Sequence, residues 1–212
     1  MENTDSIFTL KQNILPQHVG EISVTRVQEN HLSSETLKQF LSSVCDGMIG
    51  LAPTYGKKQR LSSIAFASRD RVLNVELLNC RSTTQQRKVL QATILLNDSY
   101  KKYAFYMDTL ATSLFYDCSL PINGAIDILS GSRESRHLLK AVIEVLGGES
   151  KVNRKSVRQL FRQEESSKAD RITVATQAWA AYQSASTQPP FMVPNTIDTT
   201  LFSIEVGSFI VI

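Results

Sequence analysis

MIGLAPTYGKKQRLSSIAFASRDRVLNVELL, residues 48–78, carries the reading of the fold. MIGLA (48–52) is a short apolar run of the kind that forms a buried strand. RLSSIAFAS (60–68) and RVLNVELL (71–78) are β-rich runs with only Arg69 and Asp70 between them. Two such runs joined by two polar residues read as a hairpin. Three adjacent strands therefore lie in about thirty residues. The first run ends on Ala52 and is followed by Pro53, Thr54, Tyr55 and Gly56, a stretch chemically blank except for the tyrosine.

Outward from this segment the pattern alternates. GEISVTRV (20–27) reads as a strand. Ser33 or Ser34 caps a helix running to about Cys45, with Leu37, Phe40, Leu41 and Val44 on one face and Asp46-Gly47 as its stop. Downstream, residues 85–96 read as a helix, KKYAFYM (101–107) as a strand and 109–116 as a short helix. SLPINGAIDILSG (119–131) is a loop with a brief apolar element. RESRHLLKAVIEVLGG (133–148) carries the clearest helical stripe and ends on two glycines. A basic helix (153–163) follows, then a helix over 169–185 presenting Ile172, Ala175, Trp179 and Tyr182. The order predicts a three-layer α/β domain with a mixed central sheet flanked by helices. Residues 1–19 read as an N-terminal arm, 20–185 as the domain, and 186–212 as a linker and a C-terminal strand extension.

The chain has 212 residues, enough for one well-filled core, and a net charge of +3, which permits nucleic-acid binding without arguing for it. Cys45, Cys80 and Cys118 are widely spaced, with no CxxC pair, so neither a disulfide framework nor a zinc site is signalled. His18, His31 and His137 lie far apart. The opening MENTDSIFTLKQ does not read as a secretory leader, and no apolar run approaches the length of a membrane span. The expectation is an intracellular, cytoplasmic setting with no membrane contact; a perinuclear granule and the nucleus stay open.

The segment 33–78, with LLNDSYKKYAFYMDTLATSLF (95–115), PINGAIDILSG (121–131), LLKAVIEVLGG (138–148) and ADRITVATQAWAAYQ (169–183), resembles the RNase D-like (DEDD) 3′–5′ exonuclease domain. The resemblance covers roughly residues 20–185 and implies an RNase H-like fold. Enzymes of that family hold two divalent metals with carboxylates, which activate a water and neutralise charge on the phosphate. The family's first strand bears Asp-x-Glu, and those places match Ala52 and Thr54 here. Its next aspartate matches Asp108, its last matches Gln177, and the tyrosine four residues earlier matches Thr173. Three of four carboxylates and the tyrosine are absent, so the resemblance implies a pseudoenzyme with no metal, no cofactor and no catalytic residue.

Other readings of the same residues stay open. Ala52 and Gln177 are also ordinary positions for an unrelated α/β protein. Asp108 equally reads as a helix cap. An unusual metal site around Asp108 and Asp127, with Glu76 or Glu144, is the enzyme alternative. Degenerate members of the family act as adaptors, among them an inactive, dimer-forming RNA binder of the germline piRNA pathway. The implied function is an RNA-binding or protein-binding adaptor in small-RNA silencing, or a protein-interaction scaffold with a vestigial groove. Candidate contacts for single-stranded RNA are Lys57, Lys58 and Arg60; Lys101 and Lys102; and Lys151, Arg154, Lys155, Arg158 and Arg162, of which 151, 155, 158 and 162 share a helical face. Each cluster also reads as a solvated face. Tyr103, Phe105 and Tyr106 are stacking candidates, with two of the three expected in the core. The apolar run LFSIEVGSFIVI (201–212) calls for an edge to pair with, in its own subunit, a second copy or a protein partner.

Overall fold

The structure is a computed structural model and describes residues 6–18, 20–78, 84–134, 137–161, 171–187 and 194–200. Its strands are β1 (Ser6–Leu10), β2 (Ile22–Gln28), β3 (Met48–Tyr55), β4 (Leu61–Ala67), β5 (Arg71–Glu76), β6 (Lys101–Ala104), β7 (Ala125–Asp127) and β8 (Asn195–Ile197). Its helices are α1 (Ser34–Leu41), α2 (Gln85–Leu90), α3 (Met107–Cys118), α4 (Leu138–Val145), α5 (Arg154–Leu160) and α6 (Arg171–Thr187). A π-helical turn, Gln91–Leu95, continues α2.

All eight strands form one mixed sheet in the order β1-β2-β5-β4-β3-β6-β7-β8. The expected hairpin joins β4 to β5, with Ala65 opposite Asn74. β3 pairs antiparallel with β4 and parallel with β6, and β6 pairs parallel with β7. The central five strands, β5-β4-β3-β6-β7, are an RNase H-like arrangement, with one antiparallel strand inside an otherwise parallel set. Pairing with β6 stops at Leu51, while pairing with β4 runs on to Tyr55. Pro53 thus lies where β3 has a neighbour on one side only, so its missing N–H removes no bond to β6.

Alternation along the strands separates two faces. Ile49, Leu51, Ile64, Phe66, Leu73 and Val75 pack under α1, α2 and α3, against Leu37, Phe40, Leu90, Leu110 and Leu114. On the other face, Ala52, Ala65, Ala67, Val24 and Val72 pack against Val174, Ala175, Ala178 and Trp179 of α6. Tyr103, Phe105 and Ile126 join Val142, Val157 and Leu160 of α4 and α5 beside them. Helix α6 is laid directly on β3. A Cβ at Gly50 would stand 2.1 Å from the Ala178 carbonyl oxygen and 2.4 Å from the Tyr182 nitrogen.

Among the described residues, one ion pair is wholly inside. The Arg87 guanidinium donates through Nε and Nη2 to the two Glu29 carboxylate oxygens, each at 2.7 Å. The same carboxylate accepts from the Thr84 hydroxyl and the Leu78 N–H, so its lone pairs are filled from the end of β5 and the start of α2. This is the arrangement in which a buried pair is tolerated.

Several expectations are refined. The stretch read as an arm contributes β1, which closes one edge of the sheet against β2, and its continuation places Ile14 in the core. Its apolar alternation is too short to show this without β2 beside it. The linker region contributes β8, paired antiparallel with β7. Helix α6 is buried on nearly every side, and of the four residues it is expected to present, Ile172 is 48% exposed while Ala175, Trp179 and Tyr182 are buried. Cys45 is exposed, and Cys118 is buried. The strand expected over 201–212 lies outside the described residues. No helix among the described residues is long and apolar enough to cross a membrane.

Because the Gly50 contact is with backbone atoms that cannot swing away, Gly50→Ala is expected to destabilise the fold by about 3 kcal/mol. Urea denaturation of the purified variant measures it. Gly56→Ala is the control, since its nearest non-neighbouring atom would be 3.4 Å away.

Candidate functional site

The far end of β3, the head of α3 and the first half of α6 are where the resemblance places acidic chemistry. Ala52 is 3% exposed and sits among Ala65, Ala175, Ala178 and Trp179. Its methyl group is part of the β3–α6 contact, so the position is filled by packing. Thr54 is half-buried, and its carbonyl accepts a hydrogen bond from the Ser62 hydroxyl at 2.9 Å. Gln177 donates from Nε2 to the Leu160 carbonyl at 2.8 Å, which ties α6 to the last turn of α5. Thr173, one turn earlier, lines a cleft of about 230 Å³ with Leu10–Ile14, Ser156, Gln159 and Leu160. None of Ala52, Thr54, Thr173 and Gln177 carries charge.

The acids present do different work. Asp108 is exposed in the first turn of α3, a favourable end of the helix dipole. Asp127, at the end of β7, accepts the Met107 N–H at 3.4 Å and so caps the start of α3. Burial holds the Asp127 carboxyl above the usual range, its backbone hydrogen bonds pull it back, and the Asp108 charge adds to the rise. Tyr106 starts the helix with a left-handed backbone, φ 59°. Glu76 is engaged with Arg26. Glu144 accepts from the Ser132 hydroxyl at 2.6 Å and from the Arg133 N–H. The set Asp108, Asp127, Glu76 and Glu144 is therefore not gathered. Among the described residues no group of three or more histidine, cysteine, aspartate or glutamate side chains is placed to hold a metal ion. An alanine, a threonine and an engaged amide do not fit a pair of hard divalent cations, which require several carboxylate oxygens.

The basic candidates separate sharply. Lys57, Lys58 and Arg60 are exposed at the tip between β3 and β4. Lys101 is exposed, but Lys102, its neighbour in β6, points inward and is fully buried. Its ammonium donates to the carbonyls of Asn97 and Tyr100 and to Asn123 Oδ1, at 3.1, 2.8 and 3.0 Å. Lys102 is thus a structural cation and not an RNA contact, because strand alternation turns the second of two lysines into the sheet. The expected stripe over Lys151, Lys155, Arg158 and Arg162 is cut short. Lys151 precedes α5 in a turn closed onto the Gly148 carbonyl, Arg154 lies 3.5 Å from Glu149, and Arg162 is outside the described residues. Lys155 and Arg158 remain exposed. Tyr103 and Phe105 are core residues, and Tyr106 is partly exposed. The sequence reading missed Tyr116, 79% exposed on α3, which no local pattern marks.

No family model matches the sequence, and no curated protein matches it. Solved structures do match the fold. The EXO domain of Aedes aegypti Nibbler aligns with a TM-score of 0.50 at 15% identity, covering 73% of this chain and 84% of that one. The EXD2 exonuclease domain soaked in Mn and dGMP aligns with a TM-score of 0.43 at 19% identity, covering 77% of this chain and 85% of that one. The same domain soaked in Mg and GMP gives 0.42 at 23% identity, over 57% and 67%. At these identities the likeness is one of fold, carried by the Nibbler domain, and it agrees with the central five-strand arrangement.

Two expectations follow for the site. Ala52→Asp buries a carboxylate with no partner and is expected to cost about 3 kcal/mol or more at neutral pH, and less in acid, where the group is protonated. Urea denaturation at the two pH values reads both. Burial lowers the Lys102 pKa to about 8, beneath its unfolded value of 10.5. The neutral amine is therefore favoured by folding, and stability rises as pH climbs from about 8 towards 10.5. Lys102→Met should flatten that rise in denaturation curves taken across the window.

Proposed function

We propose that this domain is a catalytically inactive exonuclease-like fold that works by binding, as an adaptor for RNA and for protein. The observation that carries the reading is the use made of Ala52 and Gln177. One belongs to an apolar contact between β3 and α6, and the other to a hydrogen bond between α6 and α5. Positions given over to packing have no acid to offer a metal. The fold then keeps its shape and its basic surface while losing the charge that would repel a phosphate backbone.

The resemblance to degenerate exonuclease-like adaptors makes small-RNA (piRNA) silencing the setting of this proposal, in the cytoplasm, with single-stranded RNA and a protein or second copy as partners. The arm, the domain over 20–185 and the C-terminal extension are kept as its organisation, with β1 and β8 extending the sheet of the domain itself. A second reading, a protein-interaction scaffold without RNA, is favoured by one feature. Ile7 is 76% exposed on the edge strand β1, which has β2 on one side only.

Incubated with manganese, labelled single-stranded RNA is expected to keep its full length, and Asp108→Ala to change nothing. Shortening that depends on manganese and disappears in Asp108→Ala would overturn the inactive reading in favour of a divergent metal-dependent enzyme. Gel shift at low salt separates the adaptor from the scaffold: retention of the RNA supports the first, and its absence the second.

A further inference from the structure

Among the described residues, the tip of the β3–β4 hairpin is the basic cluster built to reach a ligand. The two strands run on past the end of β6, from Ala52 to Tyr55 on the β3 side, with β5 still beside β4 as far as Ser63, so the exposed turn over 57–60 lies at the end of the sheet. The turn is closed by the Gly56 N–H donating to the Arg60 carbonyl at 2.7 Å. Within it Lys58 (φ 59°) and Gln59 (φ 55°) both adopt the left-handed region, which side chains other than glycine, asparagine and aspartate rarely enter. Lys57, Lys58 and Arg60 are all exposed within this one turn, and none takes part in an ion pair among the described residues.

The base of this turn is fixed to α3. Asp117 Oδ2 accepts the Leu61 N–H at 3.1 Å, and the Ser113 hydroxyl lies 3.5 Å from the Tyr55 hydroxyl. Tyr116 sits between those two anchors in sequence and leaves its ring in solvent. Of the other basic clusters, one keeps Lys101 alone and the other keeps Lys151, Lys155 and Arg158 exposed, spread over a turn and α5. Lys102 is buried and consumed, and Arg154 has Glu149 within reach.

The geometry points to this hairpin tip, with Tyr116, as the surface that holds a single-stranded nucleic acid outside the closed groove. Lys57, Lys58 and Arg60 take successive phosphates, and the Tyr116 ring gives a base a face to stack on. The inference rests on the RNA-binding reading above and adds the place and the manner: backbone contact without sequence selection, needing neither Asp108 nor Gln177.

The test is binding of labelled oligo(U) to the full chain, followed over a series of salt concentrations. The triple variant Lys57→Gln, Lys58→Asn, Arg60→Gln removes the charges, and asparagine tolerates the left-handed backbone at position 58. With three phosphates no longer neutralised, the slope of log K against log salt should fall by about 2. Tyr116→Ala, independent of the turn, should weaken binding by about five-fold or more with the slope unchanged. Lys155→Gln with Arg158→Gln should leave the slope as in the parent chain. Binding by the parent chain that the hairpin variants do not alter overturns the hairpin assignment alone. Failure of the parent chain to bind at low salt overturns the RNA reading along with it. Polyglutamate that binds through the same three residues while oligo(U) does not would make the tip a docking point for acidic protein, and would overturn the nucleic-acid assignment.

Discussion

The approach of α6 to β3 is the contact on which the rest is built. A helix can rest this closely on a strand only if the strand offers no side chain at the crossing, and Gly50 offers none. Ala52, Ala65, Ala67, Ala175 and Ala178 keep the surrounding layer thin, and Trp179 fills the space beside them. The Trp179 indole N–H finds the Arg69 carbonyl at 3.1 Å, so the turn of the β4–β5 hairpin is held to the same helix. Tyr182 holds the same end of the sheet, its hydroxyl 2.7 Å from Asp46, at the foot of β3. One helix thereby fixes the hairpin turn, the start of β3 and, through Gln177, the end of α5.

The same thinness explains the state of the groove. Small side chains at Ala52, Ala175 and Ala178 let helix and strand close on one another, which leaves no wet, acidic gap between them. The remaining carboxylates near the head of α3 serve the helix: Asp127 takes a backbone N–H and Asp108 sits in the first turn. Ala52, where the exonuclease resemblance expects an acid, is filled by packing, while Lys57, Lys58 and Arg60 at the hairpin tip take part in no ion pair among the described residues.

Much of this architecture was legible because it is local. The Arg69-Asp70 turn, the Ser33 cap and the alternation of β4 and β5 are decided within a few residues, and the sheet follows from them. What was not legible depends on partners distant in the chain. Lys101 and Lys102 are the same residue type in adjacent positions, and only the carbonyls of Asn97 and Tyr100 and the amide of Asn123 make the second one internal. Helix α6 shows no stripe because it is enclosed on several sides by the sheet, α5 and the segment after β1, so periodicity has nothing to report. Glu29 and Arg87 each look like surface charges until the ends of β2 and β5 and the start of α2 are brought together. The blank stretch at 52–54 was informative only beside a family pattern, since alanine and threonine carry no signal of a lost acid by themselves.

The position of α6 also has a kinetic consequence. The helix that completes the middle of the sheet spans residues 171–187, while the strand it covers spans 48–55. More than half of the chain must be made before that partner exists. Until then the face of Ala52, Ala65, Ala67 and Val72 stands open to water, and the early strands have only their α1–α3 side covered. Long-range closure of this kind makes folding slow and cooperative, and leaves the partly synthesised chain with a sticky sheet. The molecule therefore becomes itself late and all at once, when its sixth helix docks.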